Sequence, residues 1–217
     1  MTLLDLHALS PLIVLGCVIL VLLLVVAFWR NIQLTCAISV LGLMATLGAI
    51  VDSWSVAPLV VTPLITVDGY ALLFSGLIVL GSLAVSLLAF DYFRYRGGRP
   101  DEFFILLLLS TLGGMTLVAS THFASFVLGL ELLSVSIYAL SSYPVKGLFP
   151  LEAALKYLIL SGVSSAFLLF GTALMYTVSG TLSFHELADM QWPTAGADLY
   201  FLLGGLGMIL AGLMFKL

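Results

Sequence analysis

Three charged residues stand inside long apolar runs of this chain: Glu131, Lys156 and Lys216. An acid and two bases in apolar surroundings have one obvious chemistry. A carboxylate near a lysine favours the charged ammonium, and withdrawal of that carboxylate favours the neutral amine. Such a group takes up or releases a proton as its partner engages or leaves. Linked by hydroxyls or water, groups of this kind form a proton relay. Glu131 carries Ser134, Tyr138 and Ser142 at i+3, i+7 and i+11, which places them on its own helix face. Lys156 has Glu152 at i−4, the favourable order for a helical ion pair, and Tyr157, Ser161 and Ser164 follow it. Ser134, Tyr138, Tyr157, Ser161 and Ser164 are the candidate linkers.

Each isolated charge also has a plainer reading. Glu131, protonated, would simply hydrogen-bond a neighbouring helix. Lys156 would be a lysine paired to Glu152 that extends towards the membrane surface. Lys216 lies one residue from the end of the sequence, so its flank does not set its depth.

The elements that hold these residues are hydrophobic. Of 217 residues, 62% are hydrophobic and 8% charged, with a mean hydropathy of +1.26. A water-soluble domain carries about 25% charged residues. The composition therefore indicates an all-α polytopic membrane protein. Charge burial in such a setting costs a few kcal/mol or more, so intramembrane charges are functional candidates by default. The net charge of −4 and the lack of a basic run give no sign of a nucleic-acid partner. Cys17 and Cys36 both lie in apolar runs and read as packing residues. The N-terminus lacks the basic start of a signal peptide, so the first apolar run is expected to be retained.

A helix needs about 20 apolar residues to cross the hydrocarbon core. Seven runs meet this, from Pro11 to Trp29, Ile32 to Val51, Gly69 to about Tyr92, Glu102 to about Ser120, Phe123 to Tyr143, Leu151 to about Val178, and Leu199 onward. Pro58 and Pro63 mark Asp52 to Asp68 as a loop. Ser120-Thr121-His122 leaves room only for a tight hairpin. Leu182 to Ala188 reads as a short interfacial helix. Counted from the hairpin, Glu131 is about nine residues, or roughly 13 Å, deep, whereas Lys156 is only about 8 Å into its helix.

The loop cations test this parse. Arg30, Arg94, Arg96, Arg99 and Lys146 all fall in loops of one side, and the other side holds none. By the positive-inside rule the N-terminus is expected outside. No metal-binding spacing and no phosphate-binding glycine loop is present. His122 reads as a turn residue, His7 and His185 as solvated ones, and Gly113-Gly114 and Gly204 to Gly207 as packing positions.

Gly129-Leu-Glu131-Leu-Leu-Ser134, Glu152-Ala-Ala-Leu-Lys156-Tyr157, Gly180-Thr-Leu-Ser-Phe184 and Phe215-Lys216-Leu217 resemble the antiporter-like membrane subunits of respiratory complex I. Within that group the pattern is most similar to the subunit N (subunit 2) family. The resemblance implies a proton-translocating subunit of an NADH:quinone oxidoreductase, with no redox chemistry on this chain. Glu131, Lys156 and Lys216, the last on a broken seventh helix, would form the relay. Ser134, Tyr138, Glu152, Tyr157 and Ser161 would support it. Residues 1–67 would supply two N-terminal helices and an outer loop, and residues 68–217 the first half of a channel bundle. Family members are longer and carry a second, inverted bundle, so the chain is expected to be an N-terminal part of such a protein.

No cofactor is expected on this chain; NADH, FMN, iron–sulfur clusters and quinone belong to the parent complex. The implied partners are other membrane subunits, lipid and protons, in a bacterial cytoplasmic membrane. Two other readings stand beside this one. The first is a subunit of a multisubunit cation/proton antiporter. The second is a structural helix bundle whose charges serve assembly.

Overall fold

The computed structural model describes residues 3–96, 101–143 and 148–216. Its helices are α1 (Leu3–Ala8), α2 (Ser10–Phe28), α3 (Ile32–Ser53), α4 (Gly69–Arg96), α5 (Asp101–Val118), α6 (Phe123–Ser141), α7 (Leu148–Ser179), α8 (Phe184–Ala188) and α9 (Ala197–Lys216). Seven of them, α2 to α7 and α9, are long and apolar enough to cross a membrane. The seven expected spans are all present, and α8 is the expected short helix. Arg99 and Lys146 lie outside the described residues.

Two differences from the sequence reading are physical. The segment between α3 and α4 is not an irregular loop. Leu59–Thr62 (β1) and Ile65–Val67 (β2) form an antiparallel hairpin, with Leu59 opposite Val67 and Val60 opposite Thr66. Pro58 and Pro63 flank β1 and leave its β-branched residues free to pair. Helix α7 also starts earlier than expected, at Leu148, with Pro150 in its first turn, where a missing N–H costs nothing.

The hairpin does not stand alone. The Thr66 amide donates to the Ala119 carbonyl, and the Thr121 amide to Leu64. One strand-width further on, Phe123 donates to Leu182 and Phe184 to Thr121. A ribbon of backbone hydrogen bonds thus joins β2, the α5–α6 turn and the segment leading into α8. The rings of Phe123, Phe126 and Phe184 pack edge to face beside it.

At the opposite rim, Asp101 opens α5 and is 4% exposed. Its Oδ1 accepts a 2.8 Å bond from the Thr35 hydroxyl on α3. Next to it, Glu102 meets Arg30 at 3.6 Å. Tyr143, just past α6, packs its ring against Phe93 and Phe103. Burial first, then the negative charges of Glu102 and Asp101, push its phenol up to about 12.

The largest core lies among α2 to α5. Leu15, Ile19, Leu22 and Val26 recur every three or four residues on α2 and face Leu43, Val79, Phe104 and Leu108. The other two helix contacts that matter for the site are glycine seams. A Cβ on Gly113 of α5 would lie 2.6 Å from the Leu133 amide, and one on Gly129 of α6 2.8 Å from the Leu117 amide. Along α7 and α9, Gly171, Gly205 and Gly212 permit the same backbone approach, which bulkier residues would prevent.

Candidate functional site

Glu131 sits eight residues into α6, about 12 Å along its axis. His122 caps this helix, its Nδ1 accepting from the Ala124 amide at 3.1 Å. Two residues before Glu131, Gly129 brings α6 against α5 and so sets the position of the acid. Its partners come from α7 and α9. Lys216 Nζ donates to Glu131 Oε1 at 2.5 Å, and Ser165 Oγ lies 2.5 Å from the same oxygen.

Lys216 is held from behind. The Ser164 hydroxyl on α7 donates to the Gly212 carbonyl at 2.5 Å, one turn before the lysine. Gly212 packs directly on Ser164 and Leu168, and Gly205 on Gly171. The α7–α9 interface is the largest helix pair in the fold. The Lys216 side chain is 6% exposed, and that of Glu131 is 38%. A lysine this buried needs a charge partner and more than one acceptor nearby. Here the pair gathers three helices around one carboxylate oxygen.

The remaining sequence candidates occupy other places. Lys156 lies eight residues into α7, deeper than its expected 8 Å because the helix begins at Leu148. Its ammonium donates to Glu152 Oε1 at 2.6 Å, and both side chains are more than half exposed. This is the local pair that the i,i+4 spacing implies, and it lies apart from Glu131. Tyr138 and Tyr157 face each other across α6 and α7, with ring centroids 6.4 Å apart and edge to face. Ser161 is buried, and its carbonyl is a second acceptor, at 2.8 Å, for Ser165. Ser134 is buried and donates to Leu130 on its own helix, and Ser142 to Ala139.

Glu152, Lys156, Tyr157, Ser161 and Ser165 therefore follow one another along α7, from the Lys156 pair to the Glu131–Lys216 pair. From Lys156 to Ser165 is nine residues, about 13 Å of helix. Ser165 was not legible as a site residue. Serine is common in membrane helices, and its one distinguishing signal, a place four residues after Ser161, is too ordinary to single it out.

Fold and site together define a polytopic helical membrane protein in which a buried lysine meets a partly exposed glutamate between three helices. Residues 120–217 match the family described as NADH:quinone oxidoreductase/Mrp antiporter, TM. The chain is 44% identical to NADH-quinone oxidoreductase subunit N of Methylococcus capsulatus, an alignment covering 98% of this chain and 44% of that protein. It is 43% identical to the subunit N of Chromohalobacter salexigens, with the same coverage. The chain thus spans less than half the length of these relatives.

Among solved structures it is similar to a chain of respiratory complex I from Thermus thermophilus with bound aureothin. There the TM-score is 0.76 at 29% identity, covering 94% of this chain and 43% of that one. A chain of an archaeal membrane-bound sulfane sulfur reductase shares the fold, with a TM-score of 0.83 at 22% identity over 96% of this chain and 44% of that one.

Proposed function

We propose that this chain forms part of a proton-translocating membrane subunit of an NADH:quinone oxidoreductase. Glu131, Lys216 and Lys156 carry its proton relay, and Ser134, Tyr138, Glu152, Tyr157 and Ser161 support it. The observation that supports this most directly is the 2.5 Å contact of Glu131 with the buried Lys216. A bistable pair works as a switch. When Glu131 engages Lys216, the ammonium is stabilised. When another group draws Glu131 away, Lys216 is left buried and gives up its proton. The row from Ser161 to Lys156 supplies a direction along α7.

In this reading residues 68–217 are the first part of a channel bundle, and residues 1–67 flank it. The chain lies in a bacterial cytoplasmic membrane with its N-terminus outside. It holds no redox group and works beside other membrane subunits.

The family description also covers antiporters, which keeps a cation/proton antiporter subunit as a second reading. Co-purification decides between them: flavin and iron–sulfur subunits support the first, membrane subunits alone the second. The relay itself is tested with Glu131→Gln in the assembled complex. Quinone-driven proton uptake into vesicles is expected to fall at least about tenfold, the scale of losing one charge interaction. Normal assembly with unchanged pumping would refute the relay and leave Glu131 a structural group.

A further inference from the structure

We infer that Ser165 is a positioning residue for Glu131, a hydroxyl switch that holds the carboxylate toward Lys216 in one state and releases it in the other. The inference rests on the relay reading above and names a residue that the relay does not otherwise contain.

The geometry is specific. Ser165 Oγ lies 2.5 Å from Glu131 Oε1 and 2.8 Å from the Ser161 carbonyl oxygen. A serine hydroxyl carries one hydrogen, so these two bonds are alternatives. Lys216 donates to the same Oε1 at 2.5 Å. When Glu131 is ionised, the hydroxyl hydrogen points at Oε1, and two donors from α7 and α9 fix one oxygen between them. When Glu131 is protonated or swings away, the hydrogen turns to the Ser161 carbonyl. The serine oxygen then offers lone pairs to the carboxyl proton or to the Lys216 ammonium. No bond is broken within the chain; one hydrogen rotates between two acceptors.

Two further observations define the role of Ser165. Other serines and threonines of the spans, including Ser39, Thr46, Ser134 and Ser136, donate to the carbonyl four residues back on their own helix. Ser165 has that carbonyl and a carboxylate as well, as Thr35 does with Asn31 and Asp101, but the carboxylate at Ser165 is also the one that binds the buried lysine. It is also half-buried beside Ser164, whose hydroxyl is already committed to Gly212. The two adjacent serines thus divide the work: one holds the backbone ahead of Lys216, the other holds Glu131.

The test uses the assembled membrane complex, reconstituted in vesicles, with Ser165→Ala, Ser165→Thr and Glu131→Gln. Infrared difference spectra between wild type and Glu131→Gln identify the Glu131 carboxylate stretching band. In Ser165→Ala that band is expected to shift, and quinone-driven proton uptake to fall about tenfold, the scale of one hydrogen bond to a charged group. Ser165→Thr, which keeps the hydroxyl, is expected to restore both. The band can be read even if pumping is lost for another reason.

The inference is overturned if Ser165→Ala leaves the band in place, whatever happens to pumping. It is equally overturned if Ser165→Thr behaves like Ser165→Ala in both readouts. A different failure belongs to the relay reading alone: Glu131→Gln pumping like wild type while Ser165→Ala still shifts the band.

Discussion

The position of Lys216 depends on a glycine, and this gives a sharp test. A Cβ placed on Gly212 would lie 2.8 Å from the Ser164 carbonyl oxygen and 2.9 Å from the Leu168 amide, both backbone atoms that cannot rotate aside. Ordinary contact begins at 3.4 Å, so Gly212→Ala must part α7 and α9 locally by 3.4 − 2.8 = 0.6 Å. Overpacking of this kind costs about 1–3 kcal/mol, offset by the roughly 0.5–1 kcal/mol that alanine gains in a helix, which leaves a net loss of up to about 2.5 kcal/mol. Gly207 stands on the same helix with nothing within 4 Å of its would-be Cβ. There only the helix gain applies, and Gly207→Ala is expected to stabilise by about 0.5–1 kcal/mol. The assay is detergent-titrated unfolding of the purified chain, followed by circular dichroism, with both variants in one series. Opposite shifts of the midpoint are expected. Shifts of the same sign would mean that α9 does not approach α7 as described, and the placement of Lys216 against Glu131 would fall with it.

Other predictions concern the opposite rim. Asp101→Ala is expected to destabilise the chain by about 1–3 kcal/mol, because Thr35 loses its charged acceptor and keeps only the Asn31 carbonyl. Asp101→Asn retains an oxygen and is expected to lose less; equal losses would refute the role of that bond. Tyr143 gives a pH dependence. Its folded phenol ionises only near 12, whereas the unfolded chain ionises near 10. The folded state therefore holds the proton longer, and stability declines as pH rises from 10 through 12. Tyr143→Phe is expected to flatten that part of the curve in the same unfolding assay, and an unchanged slope would exclude Tyr143 as its source.

Much of the architecture can be read from one dimension, for a simple reason. A membrane span must satisfy its own backbone and be apolar for its whole length, so each of the seven helices declares itself. The hairpin was not legible. Leu59–Thr62 and Ile65–Val67 are too short to be stable strands alone and are held by partners more than 50 residues away, at Ala119 and Thr121. The site divides in the same way. Glu131 and Lys216 stand out because charge is rare in such a chain, and the Glu152–Lys156 pair follows from spacing. That Glu131 meets Lys216 rather than Lys156 depends on the glycine seam of α7 and α9, which brings together residues 85 apart in sequence.

The ribbon at the α5–α6 turn has a mechanical consequence. It fastens three connections of the bundle by main-chain bonds, which do not depend on which side chains stand there. Helices pinned at one rim can spread only at the other, like the blades of a fan about its rivet. Glu131 lies about 12 Å from that rivet and Lys156, on the far part of α7, well beyond it. A small change of angle between α6 and α7 therefore moves the Glu131 contact little and the Lys156 level more. The fold places its tightest ion pair near the pivot and its more exposed one where the same rotation travels furthest.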